Sequence, residues 1–389
     1  MQKQLVRIMN LRYWKSLVVL LLMIVGLFSI AGVRAVNNWQ HGYDFNHSQL
    51  FTKKYKEHPE YYDLQQSSDD KRTKSLKAYQ NEDNQFFKKT GVGGPASNPM
   101  MIVVLIVVVY SAGLMTFAND RRTHFDTFLF GLTESRRQIY WTKLLYGIGT
   151  LVGSLLVGHA VYYLIVELAV KAPYAQIDLM NLMQLESGNL ALMIGIYTIG
   201  ILIGLVIGEL STLMIGGLGF MWSFVYSITN IGDTWRFLTS DSPMAYSISK
   251  NDNGTLLSKF LSLENNHQQL YDNHQQVGLM IGLCLTICLL LWCGAWIYNQ
   301  LSLENKYQLV QVSSLKKPIA FVSTFYLAWL FGMNGFFSRQ PIELIQHHQK
   351  AMLGWILLRN LVVIGIFAWL FTERPWQNKK KILFKQAER

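Results

Sequence analysis

Residues 100–145 read MMIVVLIVVVYSAGLMTFANDRRTHFDTFLFGLTESRRQIYWTKLL. Residues 100–118 are almost entirely apolar, and a second apolar run begins at Leu144. A helix crosses the roughly 30 Å hydrocarbon layer of a membrane with about 20 residues, because each residue adds about 1.5 Å. The stretch therefore predicts two membrane-spanning helices joined by a charged connection over residues 119–143, which we call the elbow.

The composition of the whole chain also indicates a membrane protein. Of its 389 residues, 51% are hydrophobic and 15% are charged, whereas soluble proteins carry about 25% charged residues. The three cysteines, Cys284, Cys288 and Cys293, all lie within one apolar run. That position predicts packing within a helix rather than disulfides or a metal site.

Eight apolar runs along the chain are long enough to cross a bilayer. The sequence therefore predicts an all-α, polytopic membrane protein with about eight transmembrane helices. The predicted spans are 17–36, 100–118, 144–170, 189–208, 212–230, 277–298, 318–337 and 351–372.

The Lys/Arg content of the segments next to the spans predicts their orientation. The N-terminal segment 1–16, the elbow and the C-terminal tail 373–389 are all basic. An even number of spans places both termini on one side, so we expect both in the cytoplasm of a cell with this chain in its plasma membrane. Topology then accounts for the net charge of +11, and nucleic-acid binding is not predicted.

The same orientation assigns the longer connections. Residues 37–99 are expected outside the cell, as a large extracellular loop or a small folded cap. Residues 100–230 hold spans 2–5, and 231–276 form a second extracellular segment. After span 6 at 277–298, a cytoplasmic connector at 299–317 leads into spans 7 and 8 at 318–372.

The elbow carries the pattern of a short amphipathic helix followed by a second helix start. Phe125, Phe128, Leu129 and Leu132 have i, i+3, i+4, i+7 spacing, which predicts one apolar helix face. Gly131 and Thr133 weaken and end this helix, and Ser135 with Gln138 forms a predicted capping box for the next one. From these residues alone the first helix is either a membrane-surface anchor or a docking surface.

The stretch TFLFGLTESRRQI at 127–139, followed by Lys143 and Leu144, resembles the membrane subunit of type 2 ATP-binding-cassette (ABC) exporters. That family has an arginine-rich turn, a T-x-E-x-L-L-like helix, L-P-V-S-R-x-x-I and then K-L. Thr133-Glu134 stands here in place of Pro-Val, and Phe128 stands where an acidic residue is common. The matching residues are Thr127, Leu129, Leu132, Ser135, Arg136, Ile139, Lys143 and Leu144.

The resemblance implies that 123–138 is a coupling helix between spans 2 and 3, resting on a separate ABC ATPase subunit. It also implies two permease subunits, identical or different, and ATP-driven export of a peptide, lipid or drug. The connector resembles that of some Gram-positive bacterial permeases. The residues expected to contact the ATPase are Phe125, Phe128, Leu129, Leu132, Thr133, Glu134, Ser135, Arg136 and Arg137.

The chain itself lacks a G-x-x-x-x-G-K-[ST] phosphate loop. Without that loop it has no recognisable cradle for ATP, so we expect the partner subunit to bind and hydrolyse the nucleotide. No cofactor or metal is predicted on this chain, and the chain is not predicted to be an enzyme. Besides the ATPase and a second permease subunit, membrane lipid is the expected partner.

Ionisable residues inside the predicted spans are candidates for function. His159, Tyr163 and Glu167 share one face of the third span, and Arg359 lies within the eighth. Each ionisable group in mid-membrane costs at least about 2.5–3.5 kcal/mol unless it is paired or reaches the interface. Glu167 and Arg359 are therefore expected to pair or to reach outward, with a substrate contact as the alternative.

Small residues spaced four apart indicate close helix packing. Gly149 and Gly153 form one such pair, and Gly200, Gly204 and Gly208 form two overlapping pairs. These glycines predict helix contacts within the subunit, or a seam between two permease subunits.

Two other functions remain open at this point. A non-transporting membrane sensor or immunity protein would have a similar sequence. A membrane-embedded enzyme is also an alternative, although the chain contains neither H-E-x-x-H nor G-x-S-x-G.

Overall fold

The computed structural model describes residues 2–58, 75–84, 99–175, 179–239, 273–301, 310–333 and 350–373. These residues are overwhelmingly helical, and among them no β-strand occurs beyond one isolated bridge. The predicted all-α class is therefore confirmed for the described part of the chain. The tail from 374 onward and most of the segment 231–276 lie outside the described residues.

Eleven α-helices are described, and we number them in chain order. They are α1 (Gln2–Asn46), α2 (Gln49–Glu57), α3 (Leu76–Asn84), α4 (Pro99–Arg122), α5 (Phe125–Phe130), α6 (Arg136–Ala169), α7 (Leu179–Val206), α8 (Leu210–Thr239), α9 (Asn273–Asn299), α10 (Lys316–Met333) and α11 (Lys350–Glu373).

Five helices are long and apolar enough, among the described residues, to cross a membrane. They belong to α1, α4, α6, α7 and α9, which contain or largely cover the predicted spans 1, 2, 3, 4 and 6. Helices α8, α10 and α11 coincide with the other three predicted spans but do not reach that length and hydropathy in the described residues. Five such helices agree with a multi-pass membrane protein, and a total of eight spans stays a prediction.

The first helix is much longer than the span predicted within it. α1 has 45 residues and is therefore about 67 Å long, whereas a bilayer with its headgroups is about 40–45 Å thick. Residues 2–16 and 37–46 continue the helix on both sides of the predicted span, and the bounds of the span itself at 17 and 36 stay a prediction. Hydropathy located the apolar part of α1, but it could not locate the helix ends because polar residues continue the same hydrogen bonding.

The chain divides into two compact units. The first comprises residues 1–116, 130–200 and 260–295, and its central contact is α1 against α6. Gly158 lies against the ring of Phe28, which also packs edge-on against His159 with ring centroids 4.4 Å apart. The largest fully buried side chains of this unit include Phe28, Tyr110, Tyr140, Tyr162 and Tyr197.

The described part of 37–99 is folded onto the C-terminal end of α1. The indole of Trp39 donates to the carbonyl oxygen of Asn84 at 3.0 Å, and Asn46 donates to the Asn84 side chain at 3.2 Å. Phe51 of α2 stacks on Tyr79 of α3, with ring centroids 5.8 Å apart. These residues form a small aromatic cap, while 59–74 and 85–98 lie outside the described residues.

The second unit comprises residues 117–129, 201–259 and 296–389. Within it α10 packs against α11 and against α8. The hydroxyls of Ser223 on α8 and Tyr326 on α10 lie 2.7 Å apart, and the Tyr326 ring packs on Phe220 at 5.2 Å. This unit therefore holds the C-terminal helices, the end of α7 and the short helix α5.

Candidate functional site

The elbow consists of two turns around one short helix. α4 ends at Arg122, α5 covers Phe125–Phe130, and α6 begins at Arg136. His124 adopts the left-handed conformation with φ of 56°, which lets the chain leave α4 and start α5 after only two intervening residues. The range 123–138 therefore comprises α5, a turn at residues 131–135 and the first residues of α6, with the break where Gly131, Thr133 and Ser135 predict it.

The apolar face predicted for this helix is not a single buried face. Leu129 is 1% exposed, whereas Phe128 is 51% exposed and stacks on Phe125 with centroids 5.5 Å apart. Leu132 lies beyond the helix end, in the turn. The buried side of α5 consists of Leu129 and Asp126, and contact of the exposed Phe128 with the membrane surface or with an ATPase stays a prediction.

The second helix start was predicted correctly. The Ser135 side chain accepts from the Gln138 backbone N–H at 3.3 Å, and the Gln138 side chain accepts from the Ser135 N–H at 3.0 Å. Both halves of the capping box are thus present. The box fixes where α6 begins, because it satisfies backbone donors that no helical turn can reach.

The polar residues between α5 and α6 remain accessible. Thr133, Ser135 and Arg137 are exposed, and Glu134 is half-buried. The guanidinium of Arg136 lies 4.6 Å from the centre of the Phe130 ring, an arrangement that stabilises both side chains through a cation–π contact. The stretch 133–137 can therefore contact another chain without unfolding the elbow.

Two buried residues of α6 anchor the first turns of this helix. Lys143 is 3% exposed, and its ammonium lies 5.1 Å from the centre of the Tyr13 ring on α1. The Tyr140 hydroxyl donates to the carbonyl oxygen of Leu291 on α9 at 3.0 Å. The start of α6 is therefore fixed to two other helices of the first unit.

On the other side of α5, Arg121 is the central charged residue. Its guanidinium Nη2 donates to the carbonyl oxygen of Gly204, near the end of α7. Asp120 and Asp126 are buried, and their charges act on Arg121. Asp120 precedes Arg121 on α4, whereas Asp126 lies on α5.

The polar residues predicted on the third span face α1 in part. The His159 ring hydrogen-bonds the Leu155 carbonyl oxygen at 2.8 Å, and it also contacts Phe28 and Tyr163. These contacts give His159 a packing role within the first unit. Glu167 is exposed.

Arg359 on α11 is exposed, and its guanidinium donates to the side chain of Asn360 at 3.3 Å. Glu167 and Arg359 belong to different units. Their pairing therefore stays a prediction.

The glycine pairs behave differently from one another. A methyl group on Gly200 would lie 2.6 Å from the Tyr110 carbonyl oxygen, so Gly200 permits close approach of α7 and α4, as predicted. No described atom lies within 4 Å of such a group at Gly149 or Gly153. Packing of this second pair against another helix, within the subunit or at a seam between two subunits, therefore stays a prediction.

The carbonyl oxygen of Gly204 accepts a hydrogen bond from Arg121, and Gly208 lies in the link between α7 and α8. Two packing glycines of α6 were missed. Gly147 lies directly against the Tyr197 hydroxyl, and Gly158 lies against Phe28. Ser154 four residues before Gly158 provided a small-x-x-x-small signal for the latter.

No cluster of potential metal ligands occurs among the described residues. No protein-family model matches the chain, and no curated protein or solved structure is detectably similar to it. The function must therefore be argued from the elbow and from the helices that it joins.

Proposed function

We propose that this chain is the membrane subunit of a type 2 ABC exporter that works with a separate ATPase. The observation that carries the proposal is the elbow: a short helix with a left-handed entry and a capped exit, between two long apolar helices. The motif residues Ser135, Arg136 and Lys143 stand at its exit, in the order that the resemblance implies.

The exposed side chains of the elbow and of α6 fit this function. The exposed ring of Phe128 is an apolar surface that a partner can contact. Residues 133–137 provide exposed polar side chains for such a contact. Large apolar side chains on α6, such as Leu145 and Leu168 at 67% and 79% exposed, are suited to lipid contact. A membrane protein with an accessible elbow and no phosphate loop fits an ATP-driven transporter whose ATPase is another chain.

The proposal includes the finer topology. Eight spans cross the plasma membrane, both termini and the elbow lie in the cytoplasm, and the aromatic cap lies outside. Two permease subunits and two ATPase subunits form the transporter. ATP binding moves the elbow, the spans rearrange, and a peptide, lipid or drug leaves toward the outside.

Purification from native membranes tests this function. The chain should recover a stoichiometric partner that binds ATP. Recovery of the intact chain with no nucleotide-binding partner, in mild detergent and in lipid discs, would contradict the transporter and would favour a sensor or immunity protein.

A charge reversal in the elbow tests where the partner binds. Glu134→Lys with Arg136→Glu should insert normally, because enough Lys and Arg remain to set orientation. It should lose the ATPase, since reversed charges at a contact cost several kcal/mol. Arg136→Lys is the matched control, because it keeps the charge beside Phe130. Wild-type recovery of the ATPase by the double variant would exclude this surface.

A further inference from the structure

The end of α7 is held by two segments that are distant in sequence. The last carbonyl groups of a helix have no partner within it. The Gly204 carbonyl oxygen accepts from Arg121 at the end of α4, and the Val206 carbonyl oxygen accepts from the Gln311 backbone N–H at 3.1 Å. We call Arg121, Gly204–Ile207 and residues 310–312 the α7 clamp.

The contact with residues 310–312 is a short backbone pairing. Ile207 and Val310 form an isolated antiparallel bridge, and Gln311 and Val312 are each 3% exposed. A 3-10 turn, Ser313–Leu315, leads from this segment directly into α10. The clamp therefore connects the end of α7 to the start of the C-terminal helices.

The contact with Arg121 connects the same helix end to the last turn of α4, and only Thr123 and His124 separate that turn from α5. A turn on each side separates α5 from α4 and from α6. Movement of α5 is therefore passed to neighbouring residues chiefly through its buried side chains. Asp126 is buried on α5, and its carboxylate accepts from the Thr127 N–H at 2.9 Å. The His124 N–H at the entry of α5 donates to the Arg121 carbonyl oxygen at 3.2 Å, so α5 starts directly from the Arg121 turn. The Arg121 side chain binds α7 through a charge-assisted hydrogen bond, which is among the stronger kinds.

We infer that Arg121 is a positioning residue that transmits movement of α5 to α7, and that residues 310–312 carry α10 and α11 along with the same helix end. This inference rests on the proposed transporter function. It assigns the C-terminal helices a place in the transmission rather than a role as passive anchors. The Ile207–Val310 bridge and the hydrogen bond from Arg121 are suited to transmitting movement. Both hold the C-terminal end of α7 through its backbone and do not depend on its side chains.

The test uses the complete complex with its ATPase, purified from native membranes, and measures ATP hydrolysis per complex. Arg121→Gln should still recover the ATPase, but hydrolysis should fall by about 5-fold or more, the lower end of typical coupling between sites. Arg121→Lys should restore much of the rate because it keeps the charge and a donor. Arg122→Gln is the control, since Arg122 is exposed, and should hydrolyse ATP like the wild type.

Arg121→Gln leaves two buried carboxylates with less positive charge and could prevent folding. The double variant Arg121→Gln with Asp126→Asn removes one charge of each sign and should fold, recover the ATPase and show the same loss of hydrolysis. Failure of this double variant to insert or to bind the ATPase would make Arg121 purely structural and overturn the inference. Wild-type hydrolysis by either variant would also overturn it.

A cross-link tests the second contact. After replacement of the three native cysteines by alanine, Ile207→Cys with Val310→Cys places two thiols on directly opposed residues, whose spacing in antiparallel pairs suits a disulfide. The cross-link should form and leave hydrolysis unchanged, because the clamp moves as one body. Loss of hydrolysis on oxidation that reductant restores would show that the joint opens, and would overturn this half of the inference.

These outcomes are distinct from failure of the proposed function. If the wild-type chain recovers no ATPase, the transporter function is excluded, and with it the transmission role of the α7 clamp. If the wild-type complex hydrolyses ATP and the variants do as well, only the clamp is excluded.

Discussion

Gly200 and Gly153, which belong to similar motifs in the sequence, should differ in their response to replacement by alanine. In Gly200→Ala, the added methyl would meet the Tyr110 carbonyl oxygen at 2.6 Å and the Leu114 backbone nitrogen at 3.1 Å. Ordinary contact begins at 3.4 Å, so α7 and α4 would have to separate by about 0.8 Å, and such overpacking costs about 1–3 kcal/mol. Backbone atoms cannot move aside as a flexible side chain can.

Gly153→Ala is the matched control, because no described atom lies within 4 Å of the added methyl. Both substitutions gain the same helix propensity of about 1 kcal/mol. Subtracting one from the other cancels this gain and leaves the packing cost. Gly200→Ala should therefore be about 1–3 kcal/mol less stable than Gly153→Ala.

The assay heats each variant in the same detergent and follows the monodisperse fraction by size-exclusion chromatography. Because membrane proteins commonly unfold irreversibly, the variants must be compared at one heating rate. The midpoint of Gly200→Ala should lie several degrees below that of Gly153→Ala. Equal midpoints would refute the argument from close approach. A lower midpoint for Gly153→Ala would indicate that this face is packed, as at a seam between two subunits.

Three further predictions concern single positions. Ser135→Ala should destabilise the start of α6 by about 1 kcal/mol, and hydrogen exchange should show faster exchange of the amides at 136–139. Ser135→Asp should exchange like the wild type because aspartate also caps a helix; equal exchange in the wild type and both variants would count against the capping box. His124→Gly should raise the midpoint of thermal unfolding, because the left-handed conformation costs a non-glycine residue about 1–2 kcal/mol. His124→Val should lower this midpoint. A lower midpoint for His124→Gly would show that contacts of the imidazole ring stabilise the turn. Lys53→Cys, in a background without the native cysteines, should react with a membrane-impermeant maleimide in intact cells, and labelling only after permeabilisation would reverse the proposed topology.

The sequence by itself determined the features that depend on neighbouring residues. Apolar runs predicted the long helices, because a buried or lipid-facing helix needs little more than length and hydropathy. The Ser135–Gln138 capping box was readable for the same reason: its partners are three residues apart, and their hydrogen bonds form whatever the rest of the chain does. The resemblance to ABC exporters also lies within this local stretch.

The ends and faces of the elbow helix were less predictable. The spacing of Phe125, Phe128, Leu129 and Leu132 predicted one apolar face, but Asp126 is the residue buried beside Leu129. Burial of a carboxylate requires hydrogen bonds or charges that compensate for its desolvation. The Asp126 carboxylate accepts from the Thr127 N–H, and the positive charge that acts with it, on Arg121, belongs to another helix. No periodicity in the sequence reveals such a partner.

Only the tertiary structure decided which glycines are packing glycines and what holds the end of α7. Gly149, Gly153 and Gly200 share one motif, yet only Gly200 among them has another backbone within contact distance. The clamp joins Arg121, Gly204 and Gln311, residues separated by about a hundred positions along the chain. Hydropathy and spacing report what a residue prefers, whereas a close approach or a backbone hydrogen bond depends on which distant segment folding places beside it.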